Sequence, residues 1–206
     1  MDPGISRGVH AYAAALSGLD GITECVPGYA SLLLVFDPRT HSADAVRERV
    51  YALSVKETTT TNGVAHRIPV VYGDTFGPDL EAVAQHCGRS AREVIDLHQS
   101  VDYLVYLLGF RPGFAFMGQT PAEIAVDRQS TPRTAVAPGS VGLAGRQTGI
   151  YPDGSPGGWQ LIGRTPCSLI DEHGAPRFRA GDRVAFYAIP AGSFAEYQNA
   201  SPWPER

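Results

Sequence analysis

The chain has 206 residues, a formal net charge of −4 and 43% hydrophobic residues. That much apolar content with so little net charge excludes a disordered polyelectrolyte, and the mildly acidic balance excludes a basic nucleic-acid footprint. No apolar run approaches membrane-spanning length and no basic-then-apolar leader opens the chain, so a soluble, cytoplasmic protein with no membrane contact is expected.

In chain order, residues 5–19 carry an Ala/Leu-rich helical pattern closed by Gly18. Ile22–Val26 and Ala30–Phe36 are apolar runs separated by Pro27-Gly28, a turn signal that predicts a hairpin. The second run is apolar on both faces, which predicts a strand covered on both sides. Ser42 caps a helix whose core face is Val46, Val50 and Leu53. Thr58–Gly63 reads as a loop and Ala65–Tyr72 as a strand. The order α-β-β-α-β is a split β-α-β unit short of its first strand. Gly77-Pro78-Asp79 then opens a helix stopped by Gly88, and Ser90-x-x-Glu93 is a capping box for another. The inward face of that helix is Ala91, Val94, Ile95 and His98. Val101–Leu108 is a β-branched and aromatic strand.

From Gly109 the texture changes. Of 39 Gly and Pro in the chain, 18 lie between Gly109 and Pro166. That density rules out a helical bundle there. Strand pieces are expected over Gly139–Gly149, at Leu161–Ile162, at Ser168–Ile170 and, most clearly, over Arg183–Ile189. Many short strands with turn punctuation predict a sandwich or closed barrel. The tail from Pro190 is polar and expected to wrap the surface or stay loose.

Three blocks could carry chemistry. In Gly109–Gly118, three aromatics stand among glycines and a proline; a barrel corner with core aromatics and a rigid apolar pocket wall fit equally well. In Thr131–Pro152, glycines and prolines frame Ser140, Arg146, Gln147 and Tyr151, and Arg133 is suited to hold a carboxylate bidentately. In Ser155–Pro166, Trp159 reads as core or pocket, and Gln160 as a carbonyl donor or a strand cap. His98 is the histidine singled out: a lone histidine on an inward helix face is more often a hydrogen-bonded core residue than a catalyst, but titration near neutrality would also suit it as a general base. No nucleophile elbow is present. Three scattered cysteines without a CxxC pair predict neither a metal site nor a disulfide framework. Lys56, the single lysine beside 16 arginines, stands in Val-Lys-Glu, so there is no Walker A loop.

These blocks resemble the allophanate hydrolase subunit 1 family, which includes the B subunit of bacterial 5-oxoprolinase and the kinase inhibitor Kip I. The matching pieces are Ile68–Gly73, Phe76–Leu80, the Glu93-Val94-Ile95 helix with His98, Leu108–Phe110 and Pro112–Phe114. Further pieces are Thr131–Arg133, Gly139–Gly142, Gln147–Pro152 and Ser155–Pro166. Relatives begin with a Gly-Asp strand that is missing here, and Arg111 and Arg146 replace small residues.

The resemblance implies an α+β domain over residues 1–76, a helical connection over 77–100 and an all-β, cyclophilin-like barrel over 101–206. It implies a subunit of a heteromeric, ATP-dependent hydrolase of amides or lactams, active with an allophanate hydrolase subunit 2-like partner (the C-subunit type of 5-oxoprolinase) and a third subunit. ATP would be used by the complex. The alternative it implies is a Kip I-like inhibitor that binds a sensor kinase through the barrel. His98, Arg133 and Gln147 are the expected catalytic residues. Phe114, Ser140, Tyr151, Trp159 and Gln160 are expected to line the substrate site.

Overall fold

The computed structural model describes residues 2–55, 63–199 and 203. Most of the loop expected at Thr58–Gly63 lies outside the described residues. The chain divides into two compact units, Met1–Asn62 and Gly63–Arg206.

The first unit is α+β. Helix α1 (Pro3–Leu16) starts where the Asp2 carboxylate accepts the free N–H groups of Gly4 and Ile5, with Pro3 in the first turn. Strands β1 (Ile22–Pro27) and β2 (Leu32–Phe36) form the antiparallel hairpin that Pro27-Gly28 predicts. Ser42 caps α2 (Ala43–Ala52). The expectation that β2 is covered on both sides is corrected. Val26 pairs with Leu33 on one face, and there Leu33 is 62% and Val35 40% exposed. Helix α1 packs against the hairpin, and among the described residues that apolar face, with Val26 41% exposed as well, stays open.

The second unit is built on β3 (Ala65–Tyr72), α3 (Leu80–His86), α4 (Ala91–Gln99), β4 (Tyr103–Leu108), β5 (Ala115–Gly118), β6 (Arg133–Val136), β7 (Ser140–Ala144) and β8 (Gln147–Ile150). It continues with β9 (Ser155–Gly157), β10 (Gln160–Arg164), β11 (Arg183–Ala188) and α5 (Phe194–Asn199). Seven of the strands close a barrel in the order β10-β3-β11-β4-β5-β8-β7, while β6 and β9 form a separate ribbon. The barrel and the α+β unit are the fold class expected.

Three expectations change. Strand β3, read as the last strand of the first domain, is a barrel stave between β10 and β11. Its pairing with β11 is parallel over six residues, from Ala65↔Arg183 to Val70↔Ala188, so the first unit ends at Asn62 and not at residue 76. Both connecting helices belong to the barrel unit. Ser168–Ile170 is not a strand; Ile170 makes only an isolated bridge to Pro176. The tail is not loose throughout, since Phe194–Asn199 is helical.

Alternation along the barrel strands builds two cores from one wall. Ala115, Met117, Val141, Leu143, Ile150 and Ile162 point inward and join Ile68, Val70, Tyr103, Val105, Val184 and Phe186 in the barrel core. The capping box at Ser90 and Glu93 starts α4, which packs Val94 into the same core. Phe114, Val136, Ala144, Tyr151, Trp159 and Leu161 form a second cluster, with Phe116 packed against it. The glycines of the second block are the smooth part of the wall beneath it. A Cβ on Gly142 would lie 2.9 Å from the Cβ of Trp159, and one on Gly149 3.1 Å from the Trp159 ring and 3.2 Å from Phe114. Either side chain would lift these rings off the barrel.

Candidate functional site

The second cluster opens on a cleft of about 270 Å³, lined by Phe110, Phe114, Phe116, Arg128, Pro132, Tyr151, Pro156, Gly157, Gly158 and Trp159. Phe114 is its hub. The ring meets Phe110, Phe116, Tyr151 and Trp159 edge-on, with centroids 4.8–5.5 Å apart, the arrangement that aromatic quadrupoles favour. Phe110 forms the outer lip. It is 61% exposed, and its backbone sits at φ +69°, an uncommon and strained conformation for a bulky side chain. Beside it the Arg111 guanidinium pairs with Asp153 at the surface.

Tyr151 is all but buried, and its hydroxyl lies directly over Gly157, where any Cβ would collide with it. Burial pushes its pKa above the ordinary tyrosine value. A hydrogen bond from the Trp159 backbone N–H and the nearby charges of Arg128 and Arg133 act in the opposite direction.

Behind the cleft stands Asp79, 8% exposed. One carboxylate oxygen accepts the Leu161 N–H at 2.6 Å; the other accepts Arg133 Nη2 at 2.6 Å and Gln129 Nε2 at 3.3 Å. Arg133 Nη1 also reaches the Trp159 carbonyl at 3.5 Å. The Gln160 amide donates to the Asp127 carbonyl at 2.9 Å and lies 3.4 Å from the Gln129 amide. The Gln129 N–H donates to the Gly158 carbonyl at 2.7 Å. A polar groove of about 510 Å³ adjoins on this side, lined by His86, Val126, Asp127, Arg128, Gln129, Ser130, Thr131 and Gln160.

The structure thus brings Phe114, Tyr151 and Trp159 together in one cleft, with Arg133 behind it and Gln160 in the neighbouring groove. It does not bring the other expected residues there. Ser140 and Gln147 begin β7 and β8; Ser140 is buried, and neither lines the cleft. Arg133, expected to hold a substrate carboxylate, already holds one from within the chain.

His98 is corrected most fully. It is completely buried, stacked on Phe186 at 4.6 Å. Thr148 Oγ1 gives its one hydrogen to the Gly142 carbonyl at 3.2 Å, so it accepts from His98 Nε2 at 2.9 Å. That fixes the tautomer and leaves His98 Nδ1 to accept from the Tyr72 hydroxyl at 2.8 Å. Burial lowers the His98 pKa to about 3. It is a neutral, fully bonded core residue, not a base facing the cleft.

Arg128, Phe110 and Phe116 in the cleft, Gln129 in the adjoining groove and Asp79 behind them are site residues that sequence reasoning did not single out. Asp79 and Phe110 stood inside matched blocks, which was the available signal; Arg128 and Gln129 carried none.

The carboxyltransferase domain family, subdomain C and D, matches residues 1–179. This chain belongs to that family, together with the 5-oxoprolinase B subunits. It is 41% identical to the 5-oxoprolinase B subunit of Bacillus subtilis (strain 168) over 211 aligned positions, 94% of this chain and 87% of the relative. It is also 41% identical to the 5-oxoprolinase B subunit of Escherichia coli O157:H7 over 84% of this chain and 81% of the relative. The crystal structure of TTHA0988 superposes with a TM-score of 0.81 at 35% identity, covering 93% of this chain. This chain spans only 38% of TTHA0988. Among the described residues no helix is long and apolar enough to cross a membrane, and no group of three or more His, Cys, Asp or Glu is placed to hold a metal.

Proposed function

We propose that this chain is the barrel-bearing subunit of a heteromeric, ATP-dependent hydrolase that opens 5-oxoproline, and that the aromatic cleft holds the lactam. The observation that carries the reading is the cleft itself, in a chain whose relatives are named as the B subunits of 5-oxoprolinases. Its size is at the low end for small-molecule sites, matched to a single five-membered ring. Its walls are rigid aromatics on a glycine-smoothed barrel face, which position a flat ring at small entropic cost. Charge develops on the amide oxygen as a nucleophile adds to the carbonyl, before the C–N bond breaks, and donors aimed at that oxygen supply the stabilisation.

The cleft is open to solvent at the Phe110 lip, so a second subunit of the allophanate hydrolase subunit 2 type completes it and excludes water. The occurrence of this fold within the longer TTHA0988 chain supports such a partnership. ATP is consumed by the assembled complex, with a third subunit present.

The test is co-expression with the subunit 2-like protein and the third subunit, followed by assay of 5-oxoproline turnover. Glutamate release coupled to ATP hydrolysis is expected, and dependent on this chain. An assembled complex that binds ATP yet leaves 5-oxoproline intact overturns the reading. Inhibition of a sensor kinase by the isolated chain would then favour the regulatory alternative.

A further inference from the structure

The cleft contains a cation whose role is unassigned. Arg128 lines both the aromatic cleft and the polar groove, and so stands on the wall between them. Its side chain is exposed and makes no ion pair or hydrogen bond among the described residues. The contrast with Arg133 is sharp, since Arg133 is held 2.6 Å from Asp79. Asp127, the acidic neighbour of Arg128 in sequence, lines the groove but not the aromatic cleft.

The backbone that carries Arg128 is pinned on both sides. Before it, the Asp127 carbonyl accepts from Gln160; after it, the Gln129 N–H donates to the Gly158 carbonyl. The Gln129 side chain is tied to Asp79, and Asp79 in turn to Arg133 and the Leu161 N–H. A free guanidinium thus projects from a fixed base beside an aromatic wall. An arginine so placed is pre-organised for one anionic group on an otherwise apolar ligand.

We propose that Arg128 is the specificity-determining residue of this site: it receives the carboxylate of a small cyclic amide whose ring lies among Phe114, Tyr151 and Trp159. Asp79, Gln129, Arg133 and Gln160 are positioning residues that hold the Arg128 backbone. This inference rests on the cleft being the lactam site. 5-Oxoproline carries both features, a five-membered lactam and a carboxylate on the ring carbon next to nitrogen. 2-Pyrrolidinone is the same ring without the carboxylate and serves as the control.

The experiment uses the assembled complex with wild-type, Arg128→Ala and Arg128→Lys chains, each given 5-oxoproline and 2-pyrrolidinone. Binding is followed by calorimetry and turnover by steady-state kinetics; thermal melts check the fold. Loss of a charge-assisted hydrogen-bonded pair predicts that Arg128→Ala raises the KM and Kd for 5-oxoproline about 30-fold. The constants for 2-pyrrolidinone should not move. Arg128→Lys should recover part of the loss, because it keeps the charge but not the fork. A merely structural role would raise both ligands' constants together, and that outcome overturns the inference. Wild-type turnover with an unchanged KM and Kd in Arg128→Ala also overturns it, while leaving the lactam reading intact. If the wild-type complex neither binds nor opens 5-oxoproline, the lactam reading fails, and this inference with it.

Discussion

One barrel wall serves two very different interiors. On its inner face a histidine sits among Tyr72, Tyr103, Thr148 and Phe186 with both ring nitrogens bonded, neutral and sealed from water. On its outer face five aromatic rings surround an open cleft, with one arginine locked behind it and another free at its edge. Both faces are rich in aromatics and both contain groups able to do chemistry. What separates them is access. Complete burial turns His98 into a packing element, whereas the half-open outer cluster leaves its cation available. A residue type alone therefore says little about its role until its exposure and partners are known.

Trp159→Ala strikes the outer face hardest. It removes a ring that abuts Gly142, Gly149 and Phe114, and a loss of about 3–5 kcal/mol is expected in urea denaturation. Turnover by the assembled complex should disappear as well. If stability falls but turnover survives, the aromatic cleft is not the site.

The inner face is tested by acid. The His98 pKa is lowered to about 3 in the folded chain, while the unfolded chain takes up the proton below about 6.5. Between those values the unfolded state binds more protons, so stability is full above the unfolded value and falls as pH drops toward 3. The slope from this group is at most about 1.4 kcal/mol per pH unit. In His98→Asn that component should vanish from the pH dependence of stability. An unchanged profile would mean that His98 does not titrate as a sealed core residue.

Phe110→Gly sharpens the comparison at the lip. Relief of the left-handed backbone is worth about 1 kcal/mol and should offset the loss of the ring's edge contacts with Phe114 and Tyr151, leaving stability close to wild type because the side chain is mostly exposed. Turnover should drop as the outer wall is lost. A destabilised variant with full activity would reverse the assignment. The smallest effect is expected from Arg111→Ala, which removes an exposed ion pair with Asp153; the melting free energy should change by no more than about 0.5 kcal/mol.

Much of this was legible in the sequence where the determinants are local. The cap at Ser42, the box at Ser90 and Glu93, the hairpin at Pro27-Gly28 and the Ala65–Tyr72 strand all rest on a few adjacent residues. The Gly/Pro blocks located the barrel face, and the inward face of α4 placed His98 in the core. Non-local facts were not legible. Strand β3 looks the same whether it pairs with β2 or with β10 and β11, whose partners lie far downstream. Arg133 reads as a free fork until Asp79, 54 residues earlier, is seen against it. His98 reads as a general base until Thr148 and Tyr72 close over it. Arg128 offers no local pattern at all; only the folded wall sets it apart from the other arginines.

The position of β3 between β10 and β11 has a consequence for how the chain is made. Strand β3 leaves the ribosome with both edges unpaired, and its partners follow only when residues 160–188 have emerged. At ordinary elongation rates that interval lasts roughly 6–23 s. Throughout it, Ile68-Pro69-Val70-Val71-Tyr72 is an apolar strand in search of a neighbour. Pro69, which has no N–H to donate, sits inside it and discourages pairing with another nascent chain. Chains cut short before β11 would keep one of those edges bare, so nonsense products of this gene should aggregate rather than persist as partly folded barrels.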